Sequence, residues 1–149
     1  MLTNADSGWN VTRAVMRRTL ELIYDGKPEA EEDLLSAVQS ARASMMGVQR
    51  DWKVPPDASR VKRLAGSYRN AALGEIGVRA GQDEVVFQFG GWKSRMATRV
   101  NRDGTTSFVT IDPGVRGFEF LAPAGGGAFT RLTLRDAQHA YQYEASGGR

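Results

Sequence analysis

From Trp9 to Asp25 apolar residues return every three to four positions, with Val11, Val15 and Leu22 on one line and Met16, Leu20 and Ile23 beside it. Asn10, Arg13, Arg17 and Glu21 trace a polar face, so the stretch predicts an amphipathic helix with a wide apolar stripe. Asn4, Asp6 and Ser7 offer capping oxygens near its start, and Gly26 followed by Pro28 is a stop signal. A second helix is expected at Pro28 or just after it, because Glu29, Glu31, Glu32 and Asp33 gather where the helix dipole favours negative charge. Leu34, Leu35, Val38, Ala41 and Met45 are its expected buried stripe. Between Gln49 and Arg63 the helical period dissolves, and Val54-Pro55-Pro56-Asp57 reads as an extended linker at a domain boundary.

After Leu64 the period becomes two. Eight β-rich runs follow, at about 65–70, 75–80, 84–89, 92–100, 105–112, 117–122, 128–134 and 138–145. Turn signals such as Gly81-Gln82-Asp83, Gly90-Gly91, Asn101-Arg102-Asp103-Gly104, Asp112-Pro113-Gly114 and Arg135-Asp136-Ala137 separate them. Connections this short join antiparallel neighbours, and closing the sheet removes exposed edges. The expected fold is therefore α+β, mainly β: N-terminal helices followed by an eight-stranded antiparallel up-and-down β-barrel. An open sheet packed under the second helix is the competing arrangement. Alternation points Ile76, Val78, Val85, Phe87, Phe89, Met96, Thr98, Val100, Phe108, Phe118, Phe120, Leu132, Leu134, Tyr141 and Tyr143 inward.

Composition narrows the chemistry. The 149 residues hold no cysteine and one histidine, His139, so neither a disulfide framework nor a multi-histidine or thiolate metal site is expected, and no cofactor is implied. No apolar run approaches the roughly 20 residues of a membrane-spanning helix. Residues 1–60 carry 8 basic against 9 acidic side chains and residues 61–149 carry 12 against 8, so the second half is the basic one. Its cations are scattered over strands and turns, which reads as a solvated surface and not a nucleic-acid footprint.

Two tetrads invite a catalytic reading. Ser59-Arg60-Val61-Lys62 fits S-x-x-K, and Tyr68-Arg69-Asn70 fits Y-x-N. A serine nucleophile of that type opens a buried helix, one turn from a lysine in a dry pocket, whereas Ser59 follows a Pro-Pro stretch among charges. No catalytic residue is therefore expected. His139 lacks a partner for nucleophilic chemistry, Asp83-Glu84 and Glu31-Glu32 read as solvated charge, and Gly125-Gly126-Gly127 has no helix N-terminus to complete an anion site. Trp92, Lys93 and Arg95, beside the Gly90-Gly91 turn, are the candidate contact for an acidic or aromatic ligand or partner. The competing reading, favoured because small barrels are filled by their own side chains, is that Trp92 plugs the barrel end.

Leu64-Ala65-Gly66-Ser67-Tyr68-Arg69-Asn70 and Leu73-Gly74-Glu75-Ile76-Gly77-Val78 carry something more specific. They resemble the opening of the C-terminal lipocalin-like domain of serine hydrolases in the penicillin-binding-protein and class C β-lactamase superfamily. Phe118-Glu119-Phe120 and Tyr141-Gln142-Tyr143 are compatible with that domain's later arms, and Leu2 through Gly8 is similar to the end of the last strand of such a catalytic domain. The resemblance implies three segments: residues 1–27 as the terminal strand remnant and helix of a preceding catalytic domain, 28–63 as a second helix and Pro-containing linker, and 64–149 as a lipocalin-like barrel. It implies a non-catalytic accessory domain that shapes substrate access or subunit contacts, since it places the superfamily's catalytic serine, lysine and tyrosine upstream of the matched stretch and carries none of their roles over to a residue here. The partner it implies is the parent's catalytic domain; without that domain the apolar stripe of the Trp9–Asp25 helix is expected to be covered by the barrel or by a second copy of the chain in a homodimer. An exported or periplasmic location follows from the resemblance alone. A lipocalin-type carrier of a small apolar ligand is the alternative function.

Overall fold

A computed structural model of the chain describes residues 8–135 and 138–146. The expected capping residues Asn4, Asp6 and Ser7, the strand remnant at Leu2–Ser7 and the Asp136-Ala137 part of a turn lie outside the described residues. The chain divides into two compact units between Arg50 and Asp51.

The first unit is a pair of helices, α1 (Gly8–Ile23) and α2 (Ala30–Gln49). Both expected helices are present, but the stop after α1 differs in detail. Asp25, not Gly26, takes the left-handed conformation (φ 48°), and the Gly26 N–H reaches back to the Glu21 carbonyl at 2.8 Å. That bond spans the last turn as in a Schellman closure.

What holds the pair together corrects the sequence reading. The polar face of α1 is the seam. The Arg17 guanidinium pairs with Glu29 and Asp33 of the α2 start. The Glu21 carboxylate is buried and accepts the backbone N–H groups of Glu29 at 2.9 Å and Ala30 at 2.8 Å. The residue preceding α2, Glu29, makes no side-chain cap of its own, so Glu21 caps α2 from the neighbouring helix. With the seam made by charges, the apolar stripes are left outside: Val11, Val15, Met16, Leu20, Leu22 and Ile23 are 44–66% exposed. The expected buried stripe of α2 is likewise mostly exposed at Leu35, Val38 and Met45, and only Leu34 and Ala41 are half-buried.

The second unit is a closed barrel. Its strands are β1 (Ser67–Asn70), β2 (Gly74–Ala80), β3 (Val85–Gln88), β4 (Lys93–Val100), β5 (Thr106–Thr110), β6 (Glu119–Ala122), β7 (Arg131–Arg135) and β8 (Ala140–Ala145). Each runs antiparallel to the next, and β8 returns to β1 through Tyr68↔Ala145 and Arg69↔Glu144. The Asn70 side chain reinforces this closure. Its amide donates to the Gln142 carbonyl at 2.7 Å, and its oxygen accepts the N–H groups of Ala72 and Leu73 to form the turn into β2.

Residues 51–64 belong to this unit and are not a free linker. Pairing of β3 with β4 ends at Arg95, and beyond it Lys53 takes the vacant edge by exchanging backbone hydrogen bonds with Thr98 (2.8 and 3.2 Å). Asp57 then caps a single helical turn, α3 (Ala58–Val61), whose Val61 is buried in the core. The Phe129 N–H donates to the Arg63 carbonyl at 2.8 Å, and Leu64 forms a parallel bridge with Phe129. This strap lies at the end of the barrel from which β1 departs.

The axis is filled by aromatic rings. Phe87 lies 5.8 Å from Phe108 and 5.5 Å from Phe120, Phe108 lies 5.9 Å from Phe129, and Phe120 lies 6.2 Å from Tyr143. Ile76, Val85, Met96, Thr98 and Leu132 complete the enclosed set, with Val78, Phe89, Leu134 and Tyr141 half-buried beside them. Two expected inward residues are corrected: Val100 is 45% and Phe118 48% exposed. Alternation sets which side a residue takes, not its depth, and both stand at the barrel's ends. Tyr68, outside the expected set, is fully enclosed; its hydroxyl donates to the Phe129 carbonyl at 2.7 Å and accepts the Ala65 N–H at 3.0 Å. Burial pushes this phenol above its usual range, keeping it a donor.

Candidate functional site

In a meander, alternate turns share an end, so the β3–β4 turn and the β5–β6 connection meet opposite the strap. The turn at Gly90-Gly91 is closed by the Phe89 N–H donating to the Trp92 carbonyl at 2.8 Å. This folds the Trp92 ring onto Phe89, with centroids 3.7 Å apart and planes at 21°. Phe89 rests on Phe120 at 5.5 Å, and Phe118 stacks on Trp92 at 5.8 Å and 29°. A column of four rings therefore runs from the core to the mouth. Trp92 closes the end, as the plug reading holds, yet it remains 36% exposed and Phe118 more so.

The three candidate residues do different things. Arg95 is held by Asp112: Nε donates to Oδ1 at 2.8 Å, Nη2 lies 2.7 Å from Oδ1, and the backbone N–H donates to Oδ2 at 2.8 Å. Hydrogen bonds from the Arg95 side chain and then its backbone hold the Asp112 carboxyl below its usual range, and the same pairing raises Arg95. Ser94 Oγ accepts the Asp112 N–H at 3.2 Å, so this clamp fixes the β5–β6 connection to β4. Lys93 is exposed at the start of β4, next to Trp92. Sequence reasoning missed Phe118 as a mouth residue and Arg116, whose Nε donates to the Ile111 carbonyl at 3.0 Å in the same connection. The available signal was Gly117, which adopts φ 100° and breaks the alternation just before Phe118. The mouth offers an aromatic edge and face beside cationic side chains, a surface suited to contact.

The other residues weighed for chemistry are dispersed. The Ser59 hydroxyl donates to Asp57 Oδ1 at 2.5 Å on the exposed side of α3, Lys62 is exposed, and the Tyr68 hydroxyl is enclosed by its two backbone partners. His139 is exposed and stacks on Tyr141 at 5.8 Å. Asp83, Glu84 and Gly125 to Gly127 are exposed. Among the described residues no cluster of three or more acidic, histidine or cysteine side chains could hold a metal ion, and no helix is long and apolar enough to cross a membrane. No family model, curated protein or solved structure matches the chain.

Proposed function

We propose that the chain is a non-catalytic accessory module of a β-lactamase-like serine hydrolase, shaping substrate access or subunit contacts. The observation that carries this reading is the inverted polarity of α1. A helix that spends its charged face on α2 and leaves six large aliphatic side chains outside is a helix that another body covers. Each such side chain is worth about 1.5–3 kcal/mol when buried. The catalytic domain of the parent is the proposed cover, with a second copy of the chain as the other occupant.

The barrel supports the same reading. Tyr68 and Asn70, which carry the sequence resemblance, bond the strap, the first turn and the closing strand, so the motif serves barrel closure and not proton transfer. Rings in mutual contact along the axis leave the carrier alternative less support. The test has two arms. Purified chain incubated with nitrocefin and with an ester substrate is expected to show no turnover, and turnover abolished by Ser59→Ala would overturn the reading. The frame upstream of Met1 is expected to encode a helical S-x-x-K, and an unrelated or closed frame would remove the proposed parent.

A further inference from the structure

On the outer wall of the barrel a groove of about 260 Å³ is lined by Arg99, Asn101, Asp103, Glu119, Leu121 and Arg135, with threonines between them. Its polar groups form a closed ring. Arg99 Nη2 donates to Glu119 Oε1 at 2.5 Å, and Arg99 Nε donates to Asn101 Oδ1 at 3.0 Å. Asn101 Nδ2 donates to Thr105 Oγ1 at 2.9 Å and to Ser107 Oγ at 2.8 Å, and Ser107, fully enclosed, donates in turn to Glu119 Oε1. Thr105 gives both its hydroxyl and its N–H to Asp103 Oδ1.

Every one of these bonds to a carboxylate falls on a single oxygen. Glu119 Oε2 takes no hydrogen bond from a described residue, and the Arg135 guanidinium, which makes no direct ion pair with a described carboxylate, lies near enough to Asp103 to help hold that carboxyl below its usual range. The groove thus sets a Glu119 oxygen and the Asp103 carboxylate beside the Arg135 guanidinium, which faces them without a direct ion pair among the described residues, with two cations balancing two anions overall. A ligand of one sign would meet as much repulsion as attraction. A ligand carrying both signs is matched at both ends by charge-assisted bonds. Its volume, below that of drug-sized pockets, limits it to something small.

We propose that this groove binds a small zwitterion of the free amino-acid or dipeptide class, its ammonium on Asp103 and Glu119 and its carboxylate on Arg135. The site is independent of the accessory-module reading. Glycylglycine titrated into the full isotope-labelled chain should shift the amides of residues 99–105 and 119–121 saturably, with a dissociation constant on the order of 1 mM. N-acetylglycylglycine, which lacks the ammonium, and glycylglycine amide, which lacks the carboxylate, should each bind about tenfold more weakly or not at all. Arg135→Gln and Asp103→Asn, both at exposed positions, should weaken binding while leaving the rest of the spectrum in place. Absence of a saturable shift, equal binding of the blocked peptides, or binding indifferent to both substitutions would overturn the proposal.

Discussion

Tyr68→Phe isolates one oxygen at the point where the strap, the first strand and the β6–β7 connection meet. The ring stays, so packing against the enclosed core is preserved, but the Phe129 carbonyl and the Ala65 N–H lose their partner together. A buried backbone group left unpaired costs about 1–3 kcal/mol. Phe129 is 1% exposed and carries the full penalty, whereas Ala65 is half-buried and its N–H can partly turn to water, so the sum is about 2–3 kcal/mol. For a unit of this size that lowers the melting temperature by about 8–24 °C. Thermal unfolding followed by tryptophan fluorescence in a Trp9→Phe background reads the barrel alone, because Trp52 and Trp92 both belong to it. Tyr143→Phe is the control, since that hydroxyl has no hydrogen-bond partner among the described residues, and it should change stability by less than about 0.5 kcal/mol. A Tyr68→Phe protein as stable as the parent, or a Tyr143→Phe protein equally weakened, would refute the reasoning.

Asn70→Ala removes the β1–β2 turn and one tie to β8, and should cost about 1–2 kcal/mol in the same assay. Glu21→Ala removes the α2 cap, and should speed hydrogen exchange at the Glu29 and Ala30 amides several-fold while leaving barrel amides unchanged. Four carboxyls titrate below their usual range: Asp57 through Ser59, Asp103 through Thr105, Asp112 through Arg95, and Glu21, where burial acts upward but is outweighed by Arg18 and the α2 backbone. A depressed folded pKa stabilises above the unfolded value near 4 and is lost as pH falls through the folded one. Melting temperature should therefore be flat from neutral pH to about 5 and fall below about 4, with Asp112→Asn shrinking the barrel's share of that fall.

Much of the barrel was legible because each strand is bounded by turn residues and only one of its faces is apolar. Phe87, Phe108, Phe120 and Leu132 followed from period two alone. Tyr68 did not: in the four-residue strand Ser67-Tyr68-Arg69-Asn70 it is the lone apolar ring, and a single position shows no alternation. The strap was illegible for a different reason. Lys53 joins the sheet through its backbone, at an edge that exists only because β3 stops short, and such an edge is a property of the assembled barrel. The helical seam was misread because Arg17 and Glu21 look solvated on a helical wheel; their partners, the acidic residues and free N–H groups at the start of α2, are supplied by the turn between the helices. At the mouth, the Gly90-Gly91 turn marks Trp92, while parity alone places Phe118 in the core because it carries no information on depth.

The central claim is that the outward apolar face of α1 exists to be covered. Sedimentation velocity of the full chain beside a Leu20→Glu/Ile23→Glu variant tests it directly, because both side chains are more than half exposed and neither is needed for the α1–α2 seam. With the catalytic domain absent, a second copy is the cover left to this face, so the unmodified chain is predicted to associate at concentrations on the order of micromolar, and the charged variant to be a monomer with an unchanged barrel spectrum. A monomeric unmodified chain, indistinguishable from the variant, would contradict it.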